Sequence, residues 1–238
     1  MPPEHLLPMT KIGVFDSGIG GLGVARAIEQ SLPALEVVFR HDTPAHFPYA
    51  TKTPDEIYGY VTPVIGSLVA DGCELVVVAC NTVSTTLIGR LRAEFSVPFI
   101  AVEPMIKPAA ALTKTGIIAV CATPTTLTSQ RYQSLKSMYA QGVTVLEPDC
   151  TDWSAMIERN QMTVERLRSD IMPCLAQGAD VLVLGCTHYH WIEQDIKRLV
   201  GETVQVVLPE TAIISRLQEL LSKNEVKHTS VKKASQVK

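Results

Sequence analysis

Two halves of the chain carry similar short segments at a constant separation, and this internal repeat limits the folds available to it. Ile12–Ser17 matches Ile118–Thr123 at an offset of 106 residues, and Val76–Cys80 matches Leu182–Cys186 at the same offset. Such self-similarity is typical of a duplicated structural unit. In a chain of 238 residues the repeat predicts two related units, the alternative being two α/β units that resemble each other without duplication.

Each half alternates short apolar runs with segments of helical periodicity. Val83, Leu87 and Leu91 recur at every fourth position, as on the buried face of a helix. Continuous apolar strands separated by helices are typical of parallel sheets covered on both faces. We therefore predict an α/β fold of two pseudo-symmetric lobes, each a mainly parallel sheet flanked by helices. The predicted strands are Lys11–Phe15, Glu36–Phe39, Glu74–Ala79, Phe99–Val102, Gly116–Cys121, Val143–Leu146, Asp180–Leu184 and Thr203–Leu208.

The composition excludes several classes of protein. An apolar fraction of 46% is too high for a disordered chain, and no apolar run approaches the roughly 18 residues of a membrane span. A net charge of −3 gives no general reason to bind nucleic acid. The six cysteines form no Cys-x-x-Cys pair, and the N-terminal segment does not read as a secretory signal. We therefore expect free thiols, no metal site and a cytoplasmic location.

Two of the cysteines occupy equivalent places in the two halves. Cys80 and Cys186 each end a predicted strand and precede a predicted helix, over 83–95 and 191–200 respectively. Ligands of open parallel sheets bind beyond the carboxyl ends of the strands. A cysteine buried at such a place is usually inert, but a thiol at a helix N-terminus feels the helix dipole, which favours the thiolate. Two at equivalent positions predict one shared cleft with a thiol on each wall.

A glycine-rich turn, Asp16–Gly23, joins the first strand to the first helix. Backbone N–H groups of such turns bind phosphate or carboxylate groups, although this one lacks a Gly-Lys-Ser/Thr ending and the dinucleotide spacing. Asp16 is either a helix N-cap or a proton-accepting neighbour of a thiol. His188 follows Cys186 by two residues and is either structural or tunes the proton of that thiol.

Three segments together, Ile12–Val24, Ala79–Thr82 and Leu184–Tyr189, closely resemble glutamate racemase, of the aspartate/glutamate racemase superfamily. The resemblance extends from about Lys11 to Leu221. It implies a cofactor-independent interconversion of L- and D-glutamate that supplies D-glutamate for bacterial peptidoglycan, in a cleft between two lobes. It also implies that a C-terminal helix returns to the first lobe. We expect a first lobe over 1–102 completed by a helix over 209–223, a second lobe over 103–208, and a flexible tail over 224–238.

The resemblance also implies roles for individual residues. Cys80 and Cys186 would transfer the protons. Asp16 would assist Cys80, while His188 and Glu158 would assist Cys186. The expected substrate contacts are Asp16, Ser17, Tyr49, Ala50, Asn81, Thr82, Thr123, Thr187 and His188. Neither a cofactor nor a metal is implied, glutamate is the expected small-molecule partner, and a homodimer is one assembly compatible with this interpretation.

Some positions depart from the family pattern. Ala50 replaces a glycine, Pro44 is an extra residue before it, His190 replaces a proline, and Leu208–Pro209 replaces an Asp-Ser-Gly stretch. These departures leave open a racemase of a related acid such as aspartate, or a non-catalytic protein that binds acidic amino acids.

Parts of the sequence also suggest two other enzyme classes. Cys186 and His188 could form a Cys-His nucleophile. A pyridoxal enzyme would need a Schiff-base lysine and a phosphate cradle, and nothing around Lys107 in the sequence supports that role.

Overall fold

Two four-stranded sheets with the same strand order form the framework of the protein. The computed structural model describes residues 10–49 and 52–222. The strand order is β2-β1-β3-β4 in one sheet and β6-β5-β7-β8 in the other, and neighbouring strands are parallel throughout. The strands are β1 (Lys11–Asp16), β2 (Glu36–His41), β3 (Leu75–Val78), β4 (Phe99–Ala101), β5 (Ile117–Cys121), β6 (Thr144–Leu146), β7 (Val181–Leu184) and β8 (Gln205–Val207). The predicted α/β fold is confirmed, and all eight strands are present.

The sequence repeat is also a repeat of strand register. Ile12 of β1 lies opposite Leu75 of β3, and Ile118 of β5 lies opposite Val181 of β7. Both residues of the second pair follow those of the first by 106 positions. The two central strand pairs therefore have the same register at the offset that relates the two halves of the sequence.

Ten α-helices connect and cover the strands of the described residues. The helix predicted over 83–95 begins two residues earlier, directly after Cys80. The helix predicted over 191–200 begins at Glu193, because Thr187–Ile192 forms a 3-10 helix instead. The α-helices are α1 (Leu22–Ser31), α2 (Pro54–Ala70), α3 (Asn81–Glu94), α4 (Ile106–Leu112), α5 (Pro124–Thr128), α6 (Gln130–Tyr139), α7 (Trp153–Glu158), α8 (Val164–Ala176), α9 (Glu193–Val200) and α10 (Glu210–Ser222).

Both faces of each sheet are buried, which explains the continuous apolar strands. Val76 and Val78 of β3 belong to a core cluster with residues of α2 and α3, while Leu75 and Val77 belong to a cluster on the other face with residues of α1. Successive side chains of a strand point to opposite faces, so a strand covered on both sides has no polar face. None of the described helices is long and apolar enough to cross a membrane.

Helix α10 packs on the first sheet although it follows the second in sequence. Ile213, Leu217 and Leu220 are buried in the same cluster as Ile12 and Val77. On this packing we propose the lobe division expected from the sequence, with 1–102 and 209–223 in one lobe and 103–208 in the other. The tail predicted over 224–238 lies outside the described residues.

This division predicts that Leu217→Ala destabilises the protein strongly. Leu217 is fully buried, and the loss of its side chain should lower the free energy of unfolding by about 2–5 kcal/mol. Chemical denaturation measures this difference. Leu112→Ala is the matched control, because Leu112 is 40% exposed and such a change should cost about 0.5 kcal/mol or less. Equal effects of the two substitutions would contradict the proposed packing role of α10.

Candidate active site

The carboxyl ends of the central strands of both sheets meet at one small cavity. Its volume is about 20 Å³, enough for about one water molecule. Nine of the predicted site residues line it, namely Ser17, Tyr49, Cys80, Asn81, Thr82, Thr123, Cys186, Thr187 and His188. Asp16 and Glu158 lie behind this lining and contact it through Thr187 and His188. Ala50 lies outside the described residues.

Cys80 lies on the first-lobe wall of the cavity and is almost fully buried. It is 5% exposed, and its thiol donates a hydrogen bond of 3.4 Å to the hydroxyl of Ser17. Burial, together with the nearby negative charge of Asp16, raises the pKa of this thiol to about 12. The start of α3 does favour the thiolate, through the backbone N–H of Val83, but burial and the charge of Asp16 outweigh this contact and the Ser17 bond.

Cys186 lies on the second-lobe wall beside an imidazole. Its sulfur is 3.9 Å from Nδ1 of His188, and Nε2 of His188 is 2.6 Å from a carboxylate oxygen of Glu158. Burial alone would lower the pKa of His188, but the contacts with Cys186 and Glu158 raise it to about 10. At neutral pH the imidazole is therefore protonated, with one N–H directed to the sulfur and the other to the carboxylate.

Asp16 joins the glycine-rich turn to the other lobe. Its carboxylate is fully buried and accepts backbone N–H bonds from Gly21 at 2.9 Å and Gly18 at 3.4 Å. The hydroxyl of Thr187 donates to both carboxylate oxygens at 3.1 and 3.2 Å. Burial raises the pKa of Asp16, against the opposing effects of the His188 charge and these hydrogen bonds. In this state the thiol of Cys80 bonds to Ser17, and Asp16 acts on it through charge.

The same turn brings the two lobes into close contact. A Cβ atom at Gly20 would lie 2.7 Å from the Thr187 hydroxyl and 2.8 Å from the His188 backbone nitrogen. Glycine is required here by close approach of the second lobe. Two of the N–H groups that suggested an anion site are used by Asp16, so the turn offers little support for the phosphate alternative.

Polar side chains of Asn81, Thr82 and Thr123 face the cavity. Both amide atoms of Asn81 are buried and have no hydrogen-bond partner among the described residues. Thr82 and Thr123, from opposite lobes, approach within 3.2 Å through their hydroxyls. Buried polar groups are normally paired, so the Asn81 amide points to a polar ligand in this cavity.

Sequence reasoning missed four lining residues: Phe47, Pro48, Ser154 and Gly185. Phe47 and Pro48 directly precede the predicted Tyr49, and Gly185 directly precedes the predicted Cys186, so this adjacency is the signal that could have identified them. Ser154 is the second residue of α7, the helix that ends at Glu158, and no local pattern distinguishes it from other serines.

Three departures from the family pattern lie outside the cavity. His190 belongs to the 3-10 helix Thr187–Ile192, and its Nδ1 is 2.5 Å from a carboxylate oxygen of Glu210, at the start of α10. Pro209 precedes that helix directly. Pro44 begins a short 3-10 helix ahead of the cavity-lining segment.

The described residues contain no group of three or more His, Cys, Asp or Glu side chains arranged for a metal ion.

Known proteins resemble this chain in sequence and in fold. A family model described as Asp/Glu/Hydantoin racemase matches residues 12–217. The chain belongs to this family. The glutamate racemase of Roseiflexus sp. (strain RS-1) is 36% identical over 215 residues, which cover 88% of this chain and 79% of that protein. The glutamate racemase of Methylococcus capsulatus is 38% identical over 214 residues, with coverage of 88% and 79%.

A solved structure shares the whole fold. The crystal structure of Escherichia coli glutamate racemase, in complex with L-glutamate and the activator UDP-MurNAc-Ala, superposes with a TM-score of 0.84 at 30% identity. The match covers 97% of this chain and 87% of that one. The resemblance inferred from the three sequence segments is confirmed, and the chain is a racemase, an isomerase that acts on amino acids.

The close packing at Gly20 predicts a large effect of one methyl group. Gly20→Ala should push Thr187 and His188 away from their present positions, and displacements of this kind can cost about 100-fold in rate. Steady-state racemisation measures the loss. Gly23→Ala in the same turn is the matched control, because its Cβ would meet His190 no closer than 3.4 Å, and its rate should stay near that of the unsubstituted protein. Similar rates for both variants would contradict the close-approach argument.

The protonation of His188 predicts a pH-dependent stability. The folded pKa of about 10 exceeds the ordinary value of 6.5, so unfolding releases a proton between these pH values. The free energy of unfolding should therefore fall as pH rises, by about 3 kcal/mol between pH 6.5 and 9. Below pH 6.5 this contribution is fully present. Denaturation at several pH values should show a flatter profile for His188→Gln, and parallel profiles would argue against a buried imidazolium.

Proposed function

We propose that this racemase interconverts L- and D-glutamate without a cofactor, by proton transfer between the substrate α-carbon and two thiols. The observation that carries the proposal is the placement of Cys80 and Cys186, from different lobes, in the lining of one cavity. Inversion at a carbon requires that a proton leave one face and that a proton arrive on the opposite face. A base and an acid on separate walls provide both steps directly.

The environment of each sulfur suggests which begins as base and which as acid. The pKa of Cys80, at about 12, keeps it a thiol at neutral pH. The sulfur of Cys186 lies 3.9 Å from Nδ1 of His188, whose N–H can donate a hydrogen bond to it. We propose that Cys186 removes the α-hydrogen as thiolate while Cys80 donates a proton to the other face, and that the roles exchange in reverse.

The polar lining would stabilise charge that develops on the substrate carboxylate. Asn81 has free amide hydrogens, and the hydroxyls of Thr82 and Thr123, from opposite lobes, bond to each other until a substrate carboxylate replaces that contact. Donors that are already oriented stabilise a developing anion without rearrangement. The present cavity holds about one water molecule, and glutamate is far larger, so binding requires the walls to separate before they close around the substrate.

The choice of glutamate and the biological role rest on relatives. The named relatives are glutamate racemases, and the Escherichia coli structure contains L-glutamate. We accordingly propose that the product D-glutamate serves peptidoglycan synthesis in the cytoplasm. A homodimer stays a prediction, which sedimentation would test.

The two-thiol mechanism predicts loss of activity when either sulfur is replaced. Cys80→Ser and Cys186→Ser should each lower racemisation by at least about 10²–10⁴-fold, because serine is a much weaker acid. Cys174→Ser is the matched control, since Cys174 is buried in α8 and does not line the cavity. Chiral chromatography measures the rates. Full activity of either cavity variant would falsify the mechanism.

Hydrogen exchange and mass spectrometry separate this proposal from its alternatives. In heavy water the unsubstituted protein should exchange the α-hydrogen of either glutamate enantiomer, whereas a non-catalytic binding protein would bind without exchange. A Cys186–His188 nucleophile would form a covalent acyl-enzyme and tolerate Cys80→Ser. A chiral assay with aspartate and other acidic amino acids tests the substrate directly, and a preference for aspartate would contradict the choice of glutamate.

A further inference from the structure

A segment of seven residues covers the cavity without belonging to either sheet. This segment, the strap, comprises Thr43–Tyr49 and connects β2 with α2. Its last three residues line the cavity, and the ring of Phe47 lies 5.0 Å from the ring of His188. The strap therefore forms a wall of the site that could move without disturbing a strand or an α-helix.

One buried carboxylate accepts hydrogen bonds from both ends and from the middle of the strap. Asp42 follows β2 directly and is 2% exposed. It accepts the backbone N–H of Thr43 at 2.7 Å and the hydroxyl of Tyr49 at 2.6 Å, from the first and last strap residues. Nδ1 of His46 lies 2.9 Å from both of its oxygens. We assign the tautomer in which Nδ1 of His46 carries the proton and donates to these carboxylate oxygens.

His46 also connects the strap to a helix. Its ring stacks on Tyr60 of α2, with centroids 3.8 Å apart and planes inclined by 13°. Tyr60 itself packs against the core of the first lobe. His46 thus joins a carboxylate at the end of β2 with an aromatic ring on α2, while its side chain stays about one-third exposed.

We propose that His46 is a positioning residue that holds the strap closed over the substrate, through its hydrogen bond to Asp42 and its contact with Tyr60. The proposal rests on the proposed function, in which Tyr49 contacts glutamate. A substrate cannot enter a cavity of this size unless a wall moves, and the strap is held by a few polar contacts at its ends and middle. Loss of the His46 contact would favour the open arrangement and weaken the substrate complex.

Two substitutions separate the hydrogen bond from the ring contact. His46→Phe keeps an aromatic ring for Tyr60 but removes the N–H donor, whereas His46→Asn keeps a donor near the position of Nδ1. A hydrogen bond to a charged group contributes enough to change an equilibrium about tenfold. His46→Phe should therefore raise KM for glutamate about tenfold with little change in kcat, and His46→Asn should recover most of that loss.

Thiol alkylation reports on the strap independently of activity. Iodoacetamide with peptide mass mapping should modify Cys80 about tenfold faster in His46→Phe than in the unsubstituted protein at the same pH. Cys121 is fully buried in the second lobe and serves as the internal control, which should stay slow in every variant. Tyr60→Phe keeps the stacked ring and should match the unsubstituted protein in both measurements.

The outcomes are separable from those of the proposed function. An unchanged Cys80 rate and KM in His46→Phe, or a His46→Asn variant as impaired as His46→Phe, would overturn the strap proposal. Equal acceleration at Cys80 and Cys121 would indicate general loosening and would overturn it as well. If the unsubstituted protein does not racemise glutamate, the proposed function fails, while the alkylation rates still decide whether His46 holds the strap.

Discussion

A carboxylate buried where the lobes meet is the interaction on which the site depends. Asp16 belongs to the first lobe and is held by its own turn through Gly18 and Gly21, yet Thr187 of the second lobe also donates to it. A buried carboxylate without such partners would be strongly disfavoured, so the hydrogen bonds from Thr187 add to those of the turn and favour the contact between the lobes. Thr187 lies between Cys186 and His188 in the sequence. Its hydrogen bonds to Asp16 therefore fix the backbone that carries both residues.

Burial then makes the two walls electrostatically different. On the first wall it leaves Cys80 with one neutral hydroxyl partner and a raised pKa. On the second wall the neighbouring groups outweigh burial, since Glu158 and Cys186 hold His188 in its protonated form. Burial thus raises the pKa of Cys80 directly, whereas at His188 it acts against protonation and is outweighed by contacts that a low local dielectric strengthens. Cys80 and Cys186 therefore occupy equivalent strand ends of the repeated fold but have different electrostatic surroundings.

Periodicity and the repeat were enough to predict the sheets, because buried parallel strands are continuous apolar runs. The positions of Cys80 and Cys186 followed from the same repeat. The strap could not be predicted, since its geometry depends on Asp42, His46 and Tyr49 meeting in space rather than on any periodic pattern. The raised pKa of Cys80 was missed because the sequence shows the helix that follows a thiol but not the water excluded around it. The family resemblance supplied Glu158, which no local pattern identified.

The unlike neighbours of the two sulfurs have a kinetic consequence for a racemase. Mirror-image amino acids have equal free energy in water, so the equilibrium constant is one and kcat/KM must be identical for both enantiomers. The His188–Glu158 pair on one side and the Ser17 hydroxyl on the other cannot make the enzyme more efficient in one direction. They can change kcat and KM only in proportion, so the enantiomer with the lower KM also has the lower kcat.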